Sequence, residues 1–484
     1  MVESREKFIT DFILSTLPKV VSKFKGLIFI PVVTKVLGQG AYGIWTNFTI
    51  GLTLLAGIAS LSLGATTNRY LIDVPKEQLR EEYWAIMVVT IVSSIIVGSV
   101  LVLFEDVIAT IAFGSNTRSD LVLLLAAALV FTLFPRQTVQ FYRSQRRMGL
   151  FAGVQSIKSL GEILVVILAT ILFGSIVAIL SSFLLFNVLL TIVMALSVIR
   201  DFGISKPNFG RIEQFIRFGI PLVATGMMYW VINVSDRYLI TYFHNVEMTG
   251  GYAVVYATAS GLSIFSLAIG TVLFPDLSSL QENNNTEEYR HRLNTIIESF
   301  LVISAPAVVG LIVIAGPLLE LLSSTAIREF TDLMYVLAPA MLVYGLFNIL
   351  IQALLSDGNS RASAMIWGTI ATLNLGANLI LVPQYGAMGA AIATLGSFLV
   401  GLGTVVLWKR KDLVLSIRVL GQICITSVLM GFTVIWLRSV ITLPSLLLLP
   451  LLIGIGIIIY ASLGFAIGFL TKDDIVFLME AIRS

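Results

Sequence analysis

About fourteen apolar runs, each roughly 20 residues long, follow one another along almost the whole chain. A helix needs about 20 apolar residues to cross a bilayer core. Strands of membrane barrels instead alternate apolar and polar residues, whereas these runs are apolar on all sides. The pattern predicts an all-α, polytopic membrane protein with about 14 transmembrane helices. The predicted spans are 12–34, 41–66, 83–104, 120–142, 150–173, 175–198, 213–237, 250–274, 295–318, 330–355, 362–382, 386–408, 417–437 and 444–470.

Charge is too sparse for a soluble globule, since only 12% of the 484 residues are charged and 57% are hydrophobic. Soluble domains carry about 25% charged residues. The net charge of +3 gives no reason to expect a nucleic-acid partner. One cysteine, Cys424, and two distant histidines, His244 and His291, predict neither a disulfide nor a metal site, and no motif indicates a cofactor. We expect the protein to act inside the membrane, among membrane lipids.

The basic residues of the loops predict an orientation. With a cytoplasmic N-terminus and fourteen spans, 21 Lys and Arg residues fall in inner segments and five in outer segments. This bias follows the positive-inside rule. Both termini are therefore predicted to be cytoplasmic, in a multi-pass protein of the cytoplasmic (cell) membrane.

Three spans open on similar glycine-rich segments, Gly40-Ala41-Tyr42-Gly43, Gly250-Gly251-Tyr252-Ala253 and Tyr385-Gly386-Ala387-Met388-Gly389-Ala390. The first two lie 210 residues apart, about six spans, which preserves orientation and predicts two parallel repeats. Close packing of helix starts is the alternative explanation of the glycines themselves. The predicted parts are an N-lobe (1–205), a C-lobe (206–412) and two additional helices with a short cytoplasmic tail (413–484).

Three lysines, Lys19, Lys23 and Lys25, lie within the first predicted span. A charge at the centre of a span costs about 2.5–3.5 kcal/mol on insertion scales. A water-filled cavity or an anionic ligand would relieve that cost. The alternative is that the span starts late and its lysines reach the cytoplasmic headgroups, which Lys19 can do more easily than Lys25.

Further ionisable side chains interrupt other spans. Lys158 and Glu162 are four residues apart, so they form either a structural pair or part of an ion-coupling site. Arg136 lies in the inner part of the fourth span, either in the cavity or reaching the headgroups. Asp236 and Arg237, at the outer end of the seventh span, line a cavity or form an interfacial pair. These candidates are mainly cationic, which favours a phosphate-bearing substrate over a cationic drug.

Three segments carry a resemblance to a known family. They are the run from Phe29 to Gly38 followed by Tyr42-Gly43, the run from Val234 to Ile240 followed by Gly251-Tyr252, and the run from Val382 to Thr394. With them, nearly the whole chain resembles the polysaccharide and oligosaccharide flippases (Wzx-type, O-antigen and teichoic acid export translocases). These flippases belong to the multidrug/oligosaccharidyl-lipid/polysaccharide exporter superfamily.

The resemblance implies two six-helix lobes around a central cavity, alternating access, and a polyprenyl-phosphate- or pyrophosphate-linked oligosaccharide as substrate. It assigns substrate binding first to Lys19, Lys23 and Lys25, and then to Arg237. Arg136 is a further candidate for substrate binding because of its charge within a span. Asp236 or Glu162 would take part in coupling to a cation.

Two other functions are considered. A cation-coupled multidrug exporter of amphipathic compounds would place acidic residues in the N-lobe cavity, where only Glu162 qualifies. A membrane glycosyltransferase usually needs acidic residues in a sizeable outer loop, and Glu105-Asp106 is the only adjacent acidic pair on that side. We therefore expect a transporter and not an enzyme.

Overall fold

Helices make up all the regular secondary structure of the described residues in the computed structural model. The backbone is described for residues 2–72, 74–441 and 443–469, and side chains within these ranges except those of 2–27, 229, 233, 267–268 and 271–272. The chain divides into two compact units, Met1–Ala253 (unit 1) and Val254–Ser484 (unit 2). The predicted all-α class is confirmed, while the predicted lobe boundary near residue 205 stays a prediction.

The helices are numbered in chain order. The first eight are α1 (Val2–Ala59), α2 (Leu63–Tyr70), α3 (Lys76–Leu103), α4 (Glu105–Phe113), α5 (Ser119–Ser144), α6 (Met148–Phe173), α7 (Ile176–Phe202) and α8 (Ile212–Phe243). The remainder are α9 (Val246–Ser260), α10 (Ser263–Glu282), α11 (Thr286–Leu322), α12 (Met334–Ser356), α13 (Ser360–Lys409), α14 (Ile417–Val440) and α15 (Ser445–Ile467). Short 3₁₀ helices cover Asn116–Arg118 and Thr325–Leu333.

Eleven helices of the described residues are long and apolar enough to cross a membrane. In two places consecutive predicted spans follow each other directly, because two helices meet at a kink formed by one glycine with non-helical φ and ψ. The bend in α1 is at Gly38, where φ is 84°, and the bend in α13 is at Gly386, where φ is 55°. Positive φ values are readily available to glycine. The chain is a multi-pass membrane protein, and the exact count of fourteen stays a prediction.

Two spans that were predicted to be continuous are interrupted. Between α1 and α2 the chain turns at Leu61 and Ser62, both in the left-handed region, with φ of 48° and 53°. A second turn separates α9 from α10 at residues 261–262. The first turn packs tightly against α8, since a Cβ on Gly219 would overlap the carbonyl oxygen of Leu61. The interruption of α1 therefore leaves a short helix, α2, beside α5 and α8.

The order of elements repeats with the predicted offset. The starts of α1 and α8, Val2 and Ile212, are 210 residues apart, as are those of α3 and α11, Lys76 and Thr286. The glycine-rich segments cross each other within unit 1. A Cβ on Gly43 would overlap the carbonyl oxygen of Val246. Close packing thus explains the glycines, and the offset of the helices supports duplication.

Candidate functional site

Unit 1 contains a cavity of about 590 Å³. Its walls come from the second half of α1, the turn after it, α2, α5 and α8. The lining residues are Ile50, Thr53, Leu54, Gly57, Ile58, Ser60, Ser62, Gly64, Ala65, Asn68, Arg136, Gln137, Gln140, Arg143, Leu222, Val223, Gly226, Met227, Trp230 and Val234. These residues include two arginines and no Asp or Glu. The cavity therefore has a cationic lining.

One polar stripe of α5 carries that charge. Arg136, Gln140 and Arg143 have the i, i+4, i+7 spacing that puts side chains on one helix face. The two arginines are separated by about 10 Å along the helix axis. Arg136 is exposed, and no hydrogen bond or ion pair within the described part of the chain engages its guanidinium. The Arg143 guanidinium lies 5.9 Å from the ring centroid of Phe151. Both cations are available to an anionic ligand.

Pro135 lies within α5, directly before Arg136. A proline inside a helix has no N–H to donate to the carbonyl four residues earlier. Here that carbonyl belongs to Phe131, and it accepts a hydrogen bond of 2.7 Å from the Thr191 hydroxyl of α7. Since the freed carbonyl is satisfied by α7, α5 continues through Pro135 and presents the polar stripe to the cavity.

The short helix α2 closes one side of the cavity. The Asn68 amide donates to Gln140 Oε1 at 2.8 Å, which fixes the middle residue of the polar stripe. Gly64 allows the close approach, because a Cβ there would come within 3.0 Å of Gln140 Cγ. The Thr66 hydroxyl also donates to the Phe215 carbonyl of α8 at 3.3 Å. These contacts hold α2 against both neighbouring walls.

The wall formed by α8 is apolar. Leu222, Val223, Met227, Trp230 and Val234 repeat at helical spacing on the face that lines the cavity. A cavity with cations on one wall and hydrocarbon on another suits an amphipathic anion. Arginine binds phosphate oxygens through a planar set of N–H donors. The arrangement can therefore hold a phosphate group beside an apolar moiety.

Asp236 and Arg237 are buried in unit 1 and are not among the residues that line this cavity. Asp236 Oδ2 accepts a hydrogen bond of 2.5 Å from the Tyr252 hydroxyl, and its Oδ1 accepts one of 2.9 Å from the Arg237 backbone N–H. The two parts of one segment that carries the family resemblance are thereby joined. Their predicted roles in substrate binding and ion coupling stay predictions.

The other predicted site residues are distributed as follows. Arg136 lines the cavity. Lys158 and Glu162 are half-buried on α6, a helix that contributes no described residue to the cavity lining. The side chains of Lys19, Lys23 and Lys25 lie outside the described residues. Their roles, and the pairing of Lys158 with Glu162, remain predictions.

Sequence reasoning missed most of the polar and aromatic residues that line the cavity. Arg143 was assigned to an inner loop, and Gln140, Asn68 and Trp230 were not considered. The spacing of Arg136, Gln140 and Arg143 was a readable signal, since it defines one face of a helix. Nothing in the sequence indicates that Asn68 and Trp230 reach the same cavity, because their helices meet only in the tertiary fold.

Comparisons with known proteins identify the fold and the family. The chain is similar to the lipid II flippase MurJ in an inward closed conformation, with a TM-score of 0.73 and 16% identity over 94% of this chain and 98% of that one. It is also similar to an inward-facing multidrug resistance MATE family transporter, with a TM-score of 0.61, 15% identity, and 83% and 97% covered. These similarities establish a shared fold of two lobes.

A curated relative, the probable low-salt glycan biosynthesis flippase Agl15 of Haloferax volcanii, is 23% identical over 457 residues, 91% of each chain. The model of one protein family, described as "Polysaccharide biosynthesis protein", matches residues 23–332. That match covers more than half of the chain and confirms the resemblance found in the sequence. The chain belongs to the polysaccharide biosynthesis protein family.

Proposed function

We propose that this protein translocates a polyprenyl-phosphate- or pyrophosphate-linked oligosaccharide across the cytoplasmic membrane by alternating access. The observation that carries the proposal is the cavity of unit 1, which combines the available cations Arg136 and Arg143 with an apolar wall. Membership of the polysaccharide biosynthesis family and the likeness to Agl15, a probable flippase, support the same substrate class.

The physical task is to move a charged headgroup through about 30 Å of hydrocarbon while its tail stays in lipid. An unpaired guanidinium inside a membrane protein is costly, so an anionic ligand would lower the free energy of the loaded state. In the proposed orientation Arg143 lies nearer the cytoplasm than Arg136. The phosphate would meet Arg143 first and Arg136 second, deeper along the same face of α5.

The first experiment measures flipping of a fluorescent polyprenyl-pyrophosphate oligosaccharide in proteoliposomes. We expect Arg136→Ala to reduce the rate at least about tenfold, because one charge-assisted hydrogen bond contributes about 1.5–3 kcal/mol. Arg143→Ala should reduce the rate less, since Arg143 lies at the cytoplasmic entrance of the cavity in the proposed orientation. Arg200→Ala is the matched control, because Arg200 is an exposed arginine of unit 1 that does not line the cavity.

Equal rates for Arg136→Ala, Arg200→Ala and the wild type would reject the proposed phosphate site. The Lys19→Ala/Lys23→Ala double variant, assayed beside them, tests whether the lysines of α1 contribute to the same binding. Loss of transport with normal folding would support that role. Glu162→Gln and Asp236→Asn, assayed with and without a cation gradient, test the proposed coupling.

The cavity lining disfavours the multidrug exporter, because two arginines without an acidic residue would repel a cationic compound. Export of a cationic dye by a protein that leaves the lipid-linked sugar unmoved would reverse this conclusion. We also propose that both termini are cytoplasmic, on the charge bias of the loops. Cysteine labelling from either side of the membrane tests this orientation.

A further inference from the structure

We propose that Trp230 is a stacking surface for a sugar ring, so that the cavity recognises the saccharide as well as the phosphate. This inference rests on the proposed function and adds a determinant of specificity to it. Trp230 is half-buried on α8 and is the one aromatic residue among those lining the cavity in the described part of the chain.

The indole of Trp230 is held in place by two contacts. Its Nε1–H donates to the Ile50 carbonyl of α1 at 3.3 Å. Its ring centroid lies 5.5 Å from that of Tyr238, at an interplanar angle of 41°. The Tyr238 hydroxyl is fixed in turn by donating to the Asn47 carbonyl at 2.6 Å. Since the only polar donor of the indole is already used, Trp230 can offer a ligand only apolar ring surface.

A sugar ring suits such a surface. The C–H groups on one face of a pyranose are slightly positive, and the face of an aromatic ring is negative, so the two attract each other. Phosphate, by contrast, gains nothing from a tryptophan whose N–H is occupied. Trp230 therefore adds to the cavity a kind of contact that the arginines of α5 do not supply.

The amide group of Gln137 on α5 can form hydrogen bonds with the hydroxyl groups of a sugar. Gln137 lines the cavity although it is only 3% exposed, and its Oε1 has no hydrogen-bond partner among the described residues. A buried amide oxygen without a partner costs free energy. A hydroxyl both donates and accepts, so it satisfies the amide of Gln137 in either orientation. The aromatic surface, the amide and Arg136 together fit a sugar attached directly to a phosphate.

The test compares two synthetic probes, a bare polyprenyl phosphate and the same lipid carrying one hexose through a phosphodiester. Binding of each to the purified full-length protein is measured for the wild type, Trp230→Leu and Trp230→Phe. We expect the wild type to prefer the glycosylated lipid, and Trp230→Leu to reduce that preference about tenfold. Trp230→Phe should keep most of it, and the affinity for the bare lipid should not change.

Two further variants make the test specific. Gln137→Leu should lower the same preference without weakening the bare lipid. Trp436→Leu, which removes an exposed tryptophan of α14 in unit 2, should leave both affinities unchanged. If Trp230→Leu does not fold, Trp230→Phe and Gln137→Leu still decide the result. Phe stacks less strongly than Trp, so Trp230→Phe should reduce the preference by a smaller but measurable factor, and no reduction in either variant would refute the sugar contact.

The outcomes separate this inference from the proposed function. If Trp230→Leu weakens both lipids equally, or leaves the preference unchanged, Trp230 belongs to a lipid-contacting or packing wall and the sugar contact is refuted. If the wild type binds both lipids but prefers neither, the sugar contact fails while the phosphate site stands. If it binds neither lipid and Arg136→Ala changes nothing, the proposed function fails as well.

Discussion

Helices α5 and α12 occupy equivalent places in the two repeats, yet their corresponding faces have opposite character. With the offset of 210 residues, Arg136, Gln140 and Arg143 correspond to Leu346, Leu350 and Ala353. The three residues of α5 line a cavity. Leu350 and Ala353 are instead buried. The nearby Phe347 packs edge-on against Trp367, with 4.9 Å between their ring centroids. One face lines a cavity and the other belongs to the packed core.

The contrast shows that duplication of the backbone did not duplicate the polar stripe of α5. A polar stripe is tolerated on α5 because α2 and the turn before it leave room for a cavity. The equivalent stripe on α12 faces packed side chains, where an unpaired charge would be expensive. In these two helices, the charge that lines a cavity is thus confined to unit 1.

The largest expected loss of stability comes from placing an arginine on α12, at the position equivalent to Gln140 of α5. Leu350→Arg should destabilise the protein by about 5 kcal/mol or prevent folding, because it buries an unpaired cation and overpacks the core. Its matched variant, Gln140→Arg, places the same side chain at the cavity and should fold normally. Unfolding by SDS in mixed micelles measures both. A stable Leu350→Arg protein would mean that the two faces are less different than their burial indicates.

A second comparison concerns the ion pairs at the ends of the two repeats. Arg147 and Asp201 pair at 2.6 Å in unit 1, with 41% and 25% of their side chains exposed. In unit 2 the acidic and basic residues have exchanged places, since Asp357 is the residue 210 positions after Arg147. Lys409, 3% exposed, donates to Asp357 at 2.6 Å, to Asp412 at 3.0 Å and to the Tyr289 hydroxyl at 2.8 Å.

We therefore expect Lys409→Met to lower the free energy of unfolding by about 3 kcal/mol, because it leaves the partly buried Asp357 without its cation, while Asp412 keeps its pair with Arg290. Arg147→Met should lower it by less than about 1 kcal/mol, as exposed pairs contribute little. Both variants are measured by the same unfolding assay. Equal losses would show that burial of the lysine does not decide the strength of these pairs.

A third prediction concerns the glycine segments that repeat between the halves. Gly43→Ala should destabilise unit 1 by about 1–3 kcal/mol, because the new Cβ overlaps the Val246 carbonyl and backbone must move. Gly57→Ala, in the same helix, has open space around its Cβ and should be neutral or slightly stabilising. Thermal unfolding in detergent distinguishes them, and equal behaviour of the two variants would contradict the close crossing.

The sequence predicted the helical class, the duplication and one cavity residue, Arg136, because hydropathy, glycine spacing and intramembrane charge are local signals. It did not predict the interruption at Leu61 and Ser62, where no glycine or proline marks the left-handed turn. That turn creates α2, and α2 brings Asn68 to the cavity. The missed residues depend on tertiary packing that no local pattern encodes.

The smallest expected effect tests how α2 supports the stripe of α5. Asn68→Ala removes the 2.8 Å hydrogen bond to Gln140, a contact that contributes about 1 kcal/mol. We expect flipping of the lipid-linked sugar to fall about fivefold while the free energy of unfolding changes little, because Gln140 remains hydrated in the cavity. Ser278, the residue 210 positions after Asn68, is half-buried on α10, so Ser278→Ala is the matched control in unit 2 and should leave flipping unchanged. Equal flipping by the two variants would mean that α2 only closes the cavity, and that the arginines of α5 act without a fixed Gln140.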